Sequence, residues 1–125
     1  MKVGTGLTGR SPSEIAESAR NAESRGFDVF SSSETNHNPS LPLAIAAEHT
    51  ENITLRTSIA LAFARNPMDT AYIAWDLAAM SNGRFVLGLG SQVKGHIVRR
   101  FGMNWTPPAP RMRDYINGMK HIWNA

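Results

Sequence analysis

Residues 82–92 read NGRFVLGLGSQ: a turn dipeptide, a short apolar run, and two glycines one residue apart. Three structures fit such a stretch: a phosphate cradle, the tip of a barrel strand, or a tight bend. A dinucleotide cradle needs Gly-x-Gly-x-x-Gly between a strand and a helix that opens at once. Here Gly88 and Gly90 are followed by Val93 where the third glycine belongs, and 93–110 (VKGHIVRRFGMNWTPPAP) delays the next helix with its own glycines and three prolines. No Gly-Lys-Ser/Thr follows either, so a nucleotide-triphosphate loop fails as well. The remaining chemical reading is a strand tip, where small residues let a ligand approach the backbone.

The chain around this stretch alternates between strand-like and helix-like segments. KVGTGL, FDVFSSSE, ITLRTSIALAF and RFVLGLGS read as strands beginning near residues 2, 28, 53 and 84. Helical segments separate them. Ser11, Pro12 and Glu14 fit a capping box with a leading proline, and Ile15, Ala19, Ala22 and Phe27 recur at helical spacing, with Gly26 as the stop. Asn38 with Pro39, and Asn66 with Pro67 and Asp69, open two further helices. In the third helix Met68, Tyr72, Trp75 and Ala79, joined by Ala71 and Ala78, form the stripe expected to pack on the sheet. The last helix carries Met112, Tyr115, Ile116, Met119 and Trp123. Such βα alternation forces a parallel sheet, either doubly wound and open or part of a (βα)8 barrel. The strand ends, Thr8-Gly9-Arg10, Ser31 to Thr35, Ala62 to Arg65 and Gly90-Ser91-Gln92, are each rich in small or polar residues, which favours a barrel rim.

Composition bounds the function. The 125 residues suffice for one domain, read as a single unit over 1–125. No apolar run approaches the roughly 20 residues that cross a bilayer, which argues against a membrane protein. The absence of cysteine excludes disulfides and thiolate metal sites and fits a cytoplasmic protein. Residues 1–93 carry seven Lys/Arg against nine Asp/Glu, whereas 94–125 carry six against one. This basic end suits phosphate or carboxylate, but it lacks the dense cations and interleaved aromatics of a nucleic-acid groove. His37, His49, His96 and His121 show no metal-ligand spacing with carboxylates, and no Gly-x-Ser-x-Gly elbow occurs.

Over nearly all of its length, and most plainly from Ser31 to Trp105, the sequence resembles the bacterial luciferase-like superfamily, and most of all its deazaflavin (coenzyme F420)-dependent oxidoreductases. The resemblance rests on Glu34-Thr35 after the second strand, LRTSIALAFARNP across the third, LAAMSNGRFVLGLGSQ, and then RRFGM. It implies the N-terminal (βα)4 half of a TIM (β/α)8 barrel, with a flavin or deazaflavin ring lying across the strand tips. It implies hydride transfer to or from a small organic molecule with coenzyme F420. The alternatives are an FMN-dependent monooxygenase using dioxygen, and a half-barrel without catalytic activity.

By the same resemblance Glu34 and Thr35 take the family's acidic-plus-His position, with Thr35 where relatives commonly carry His, and His37 stands nearby as the substitute acid–base. Ser58-Ile59 aligns with a non-prolyl cis peptide behind the ring, and Gly90, Ser91, Gln92 and Val93 with the rim that touches the cofactor. Arg65, Lys94, His96, Arg99 and Arg100 are the cations expected to meet an anionic cofactor tail. Val93 replaces the acidic donor of one deazaflavin dehydrogenase branch, which argues against that branch's chemistry. A (βα)8 barrel is expected to need about 250 residues or more, so four units leave the interior layers and two strand edges uncovered. A fragment or truncated product is the reading such a wall favours; closure by a homodimer or by a second half-barrel chain is the alternative.

Overall fold

The computed structural model describes Met1–Ala125. Its elements run β1 (Gly4–Gly6), α1 (Pro12–Ser24), β2 (Val29–Ser32), α2 (Leu41–Glu48), β3 (Thr54–Thr57), β4 (Ala60–Leu61), α3 (Pro67–Met80), β5 (Phe85–Val86), β6 (Leu89–Gly90) and α4 (Pro108–Trp123). The main sheet has the order β1-β2-β3-β5, and every pair is parallel. Neighbours in space are therefore successive strands along the chain, and the order never reverses. A doubly wound sheet must reverse at its switch point. The helices agree: α1 packs on α2, α2 on α3, and α3 on α4. A singly wound wall with one helical layer is part of a barrel.

The register fixes which side chains face which way. Thr5, Phe30, Leu55 and Phe85 form one row across the sheet. Phe30 and Leu55 are buried among Ala19, Ala22, Leu43, Ala46 and Leu77 of the helices. The alternate rows must face the barrel interior; they are Gly4, Val29 and Thr54, then Gly6, Ser31, Arg56 and Val86. A packed barrel interior is dominated by bulky branched side chains. Here only two valines serve, so the inner face is small and polar.

The expected third and fourth strands are each divided. Between β3 and β4 the Ser58–Ile59 peptide is cis, and between β5 and β6 lies Leu87-Gly88. The outer pieces form their own parallel pair, Ala60 with Leu89 and Leu61 with Gly90. At the step, the Thr57 hydroxyl donates to Gly88 O at 2.8 Å and accepts from Gly88 N–H at 2.9 Å. A Cβ on Gly88 would lie 2.1 Å from the Thr57 carbonyl oxygen, and one on Gly90 would lie 1.7 Å from Ile59 Cδ1. The first glycine lets two backbones meet; the second makes room for the side chain beside it.

Helix entrances follow the sequence closely in two of three cases. Ser11 and Glu14 form the reciprocal capping box of α1, and Asn66 accepts from Asp69 N–H at the start of α3. The third begins later than Asn38-Pro39 implies. α2 opens at Leu41, with Asn38 Oδ1 accepting the Ser40 and Leu41 N–H groups just before it.

The α3 stripe is a correction. Met68, Tyr72 and Trp75 are exposed, Trp75 at 61%, and Thr70, Ala71, Ala74 and Leu77 are the buried face. The helix is apolar nearly all round, and its small residues allow the closer approach to the sheet. The segment 93–110 is also less irregular than expected, because His96–Arg100 forms a π-helical turn.

A second core lies under the outer strand pair, built from Ala62, Phe63, Ala71, Ile97, Tyr115 and Met119. Phe63 meets Trp105 and Tyr115 edge-on, and Arg111 lies over its ring at 4.2 Å. The Tyr115 hydroxyl donates to Asn66 O at 3.1 Å. Its one proton is thus spent, and the 2.5 Å contact with Thr70 Oγ1 has threonine as donor.

Two predictions follow from this geometry. Gly88→Ala should destabilise the chain by about 1–3 kcal/mol through overpacking. Gly95→Ala, whose Cβ meets nothing within 4 Å at a helical φ of −59°, should be neutral or stabilise by up to about 1 kcal/mol. Urea midpoints of both variants test the contrast.

Burial pushes the Tyr115 phenol above its ordinary 10.0, outweighing the Thr70 hydrogen bond. The folded state therefore holds this proton more tightly than the unfolded chain. The corresponding stability is complete below pH about 10 and is lost as the pH rises through the folded pKa. Thermal melts of Tyr115→Phe should lack that alkaline decline.

Candidate functional site

The carboxyl ends of all strands open on the same edge, and the step at Ser58–Ile59 stands at its centre. β2 grips it along its length. Ser58 N–H donates to Ser32 O at 2.8 Å, the Ser33 hydroxyl donates to Ser58 O at 2.8 Å, and Glu34 N–H donates to Ile59 O at 3.1 Å. On the other side Ala60 N–H donates to Gly88 O at 2.8 Å. With its backbone held from both flanks, Ile59 presents a side chain that is 39% exposed beside Gly90. The result is a small apolar platform ringed by backbone polar groups.

Glu34 and Arg65, separated by 31 residues, meet directly. Arg65 Nη1 donates to Glu34 Oε1 at 2.8 Å and Nη2 to Oε2 at 2.9 Å. Oε1 also accepts Leu61 N–H at 2.7 Å. The side chains are only 5% and 18% exposed, glutamate and arginine respectively. The Glu34 hydrogen bonds push the Arg65 pKa above its ordinary value against the opposing effect of burial, so the guanidinium stays charged. Both carboxylate oxygens are thereby occupied. The pair ties the end of β2 to the end of β4 and holds the platform between them.

The other residues singled out from sequence fall into two groups. Thr35 and His37 are exposed and line a cleft of about 660 Å³ at the ends of β1 and β2, together with Gly9, Arg10, Ser33 and Asn38. Ser33 belongs to both places, because it lines the cleft and bonds the step. Ser91, Gln92 and Val93 continue from β6 at the opposite side of the platform. Gln92 takes a left-handed φ of 57°, a conformation costing about 1–2 kcal/mol for a side-chain-bearing residue. Its Oε1 accepts Val93 N–H at 3.0 Å, which leaves the side-chain NH2 free.

The basic turn follows. Lys94, His96, Arg99 and Arg100 are exposed and enter neither of the side-chain ion pairs. Arg100 reaches across to donate to the Thr35 carbonyl and lies 4.9 Å from the Phe101 ring. Arg65 is thus set apart from the other expected cations: it is paired, and they are not. Sequence reasoning missed Arg10, which sits in the Thr8-Gly9-Arg10 strand end already marked as rim. No cluster of three His, Asp or Glu residues able to hold a metal ion occurs, and no helix is long and apolar enough to cross a membrane.

Known proteins carry the same arrangement of elements. The oxygenating constituent of 3,6-diketocamphane monooxygenase from Pseudomonas putida, solved with FMN, superposes with a TM-score of 0.84 at 24% identity, covering 98% of this chain and 40% of that one. The coenzyme F420-dependent tetrahydromethanopterin reductase of Methanopyrus kandleri superposes with a TM-score of 0.77 at 24% identity, over 91% and 38% of the two chains. At these identities the likeness shows the fold, which is part of a luciferase-like TIM barrel.

Sequence relatives are nearer. Rv1360 of Mycobacterium tuberculosis is 48% identical over 122 residues, 95% of this chain and 36% of its own length. Rv3520c of the same organism, assigned by name to the coenzyme F420-dependent oxidoreductases, is 32% identical over 98% of this chain and 37% of its own. The chain spans little more than a third of the length of these relatives. The family profile described as luciferase-like monooxygenase matches residues 2–125. The chain therefore belongs to the luciferase-like monooxygenase family, whose members are oxidoreductases and monooxygenases.

Proposed function

We propose that this chain forms the N-terminal part of a luciferase-like oxidoreductase that uses coenzyme F420 to move hydride to or from a small organic substrate. The observation that carries the reading is the Ile59–Gly90 platform at the meeting of the strand tips. A flat heteroaromatic ring needs one apolar support and hydrogen-bonding groups at its edge. Ile59 supplies the first, and Ser91 with the free amide of Gln92 supplies the second. The exposed cations Lys94, Arg99 and Arg100, with His96 between them, lie on the turn just beyond. They match the phosphate and carboxylate groups of a deazaflavin tail better than an uncharged one. Rv3520c, covering nearly all of this chain, points to the same coenzyme.

The bound coenzyme would supply hydride chemistry, and the chain's own residues do the rest. Glu34 and Arg65 act as a positioning pair. They hold the platform, and both Glu34 carboxylate oxygens are engaged in doing so. Thr35 and His37 face the cleft, where a substrate beside the ring would lie, and a ring nitrogen of His37 gives or takes the substrate proton. FMN with dioxygen is the second reading, favoured by the FMN-bound neighbour.

Two measurements test this. Titration of the chain with F420 and with FMN, followed by ring absorbance, should give saturable binding for F420 and weaker binding for FMN. Saturation by FMN alone would reverse the assignment.

Glu34→Gln strands Arg65 in a nearly buried position. It should cost about 3 kcal/mol in urea unfolding and weaken F420 binding in parallel. Replacing both partners by Met should restore most of the stability.

A further inference from the structure

The cleft at the ends of β1 and β2 has the size of a small-ligand site, and its polar groups are unusually one-sided. Arg10 is the only arginine or lysine along its walls, and no aspartate or glutamate lines it. Arg10 enters neither side-chain ion pair of the chain. The nearest carboxylate in sequence, Glu14, is turned back to accept Ser11 N–H at 3.1 Å in the α1 capping box.

The neutral side chains are biased towards donation as well. Asn38 has given its Oδ1 to the Ser40 and Leu41 N–H groups, so its NH2 remains. Ser31 Oγ accepts from Arg56 Nη2 at 3.1 Å, so its hydroxyl proton remains. The apolar lining residues include Leu7, Ile15, Ile45 and Leu41, and Leu41 is 68% exposed.

We propose that this cleft binds the carboxylate of a small substrate with an apolar body, and that Arg10 is its anchoring cation. The proposal rests on the preceding reading for the word substrate only; the ligand chemistry comes from the cleft. A neutral alcohol or ketone leaves the guanidinium without a counter-charge. A single carboxylate matches one arginine fork with two parallel hydrogen bonds, and Asn38 and Ser31 supply further donors. Its hydrocarbon part then lies over Leu41, Leu7 and Ile45.

Hexanoate and hexan-1-ol, which share a six-carbon skeleton and differ in charge, are the probes. Calorimetric titration of the chain should give hexanoate an affinity about tenfold above hexan-1-ol, the worth of one charge-assisted contact. Arg10→Gln should abolish the difference, and Arg10→Lys should keep part of it. The exposed, unpaired Arg10 makes both variants tolerable to the fold, and the Gly6 and Gly9 amide resonances report where hexanoate binds.

Equal affinity for the two probes, or hexanoate binding unchanged in Arg10→Gln, would overturn the proposal. The coenzyme's own carboxylate tail is the rival source of the same chemistry. Hexanoate affinity unchanged at saturating F420 supports a substrate site, and mutual exclusion would assign the cleft to the tail and overturn it. Arg10-dependent hexanoate binding in a chain that takes neither F420 nor FMN would sustain this site's chemistry while removing the reading of the preceding section.

Discussion

The contact between the Thr57 hydroxyl and the Gly88 backbone sets the geometry of the whole rim. Two neighbouring strands change course at the same level, and only a residue without a side chain lets them do so this closely. Thr57 fills the hydrogen-bonding gap that the step opens, by donating to and accepting from one residue. Beyond the step, β4 and β6 pair separately from the main sheet. That offset turns Ile59 onto the rim beside Gly90. Without it the third strand would run on, and no platform would stand at the mouth of the barrel.

A second constraint is electrostatic. Burying a carboxylate and a guanidinium together costs desolvation that their attraction only partly returns, so such pairs contribute little net stability. Their use here is positional. The end of β2 has no strand pairing left beyond Ser32, and Leu61 ends β4. Glu34 bonds both the Leu61 N–H and the Arg65 fork, and with its own N–H on Ile59 O this fixes the two ends against each other beyond the regular ladder. An aliphatic pair would fill the space without specifying that register.

What was legible in the sequence was local. The capping box at Ser11 and Glu14 and the cap at Asn66 depend on residues three apart, and both stand where the spacing places them. The alternation of strands and helices gave a parallel α/β sheet, because it needs only period and punctuation, and the small and polar strand tips then favoured a barrel over an open sheet. The strand steps were not legible: ITLRTSIALAF is apolar and β-branched throughout, and nothing in its pattern marks residue 58. Only the resemblance to a family pointed there. The Glu34–Arg65 pair was hidden for a different reason, since 31 residues of chain separate two groups that the rim brings within 2.8 Å. The α3 stripe failed because its large side chains were weighed above its small ones. Ala71 is buried against Phe63, Tyr115 and Met119 in the second core, and Tyr72 and Trp75 are left outside.

The inner face shows how the wall is held. Barrel interiors normally bury branched side chains in layers. Here Gly4, Gly6, Ser31, Thr54 and Arg56 take most of the inward positions. Val29 and Val86 are the apolar exceptions, at about 2 kcal/mol each if fully covered. The helix side is different in kind, with Phe30, Leu43 and Leu55 almost completely buried. Cohesion therefore comes from the sheet's contact with its helical layer, and little of it from the barrel axis. What the axis does impose is polar. Arg56 bonds Ser31 through Nη2, and its Nε is the one buried side-chain polar atom with no partner. An unmet buried donor costs about 1–3 kcal/mol, comparable to one of the valines. Any wall that completes this barrel has to answer a charge and a donor before it answers a hydrophobic surface.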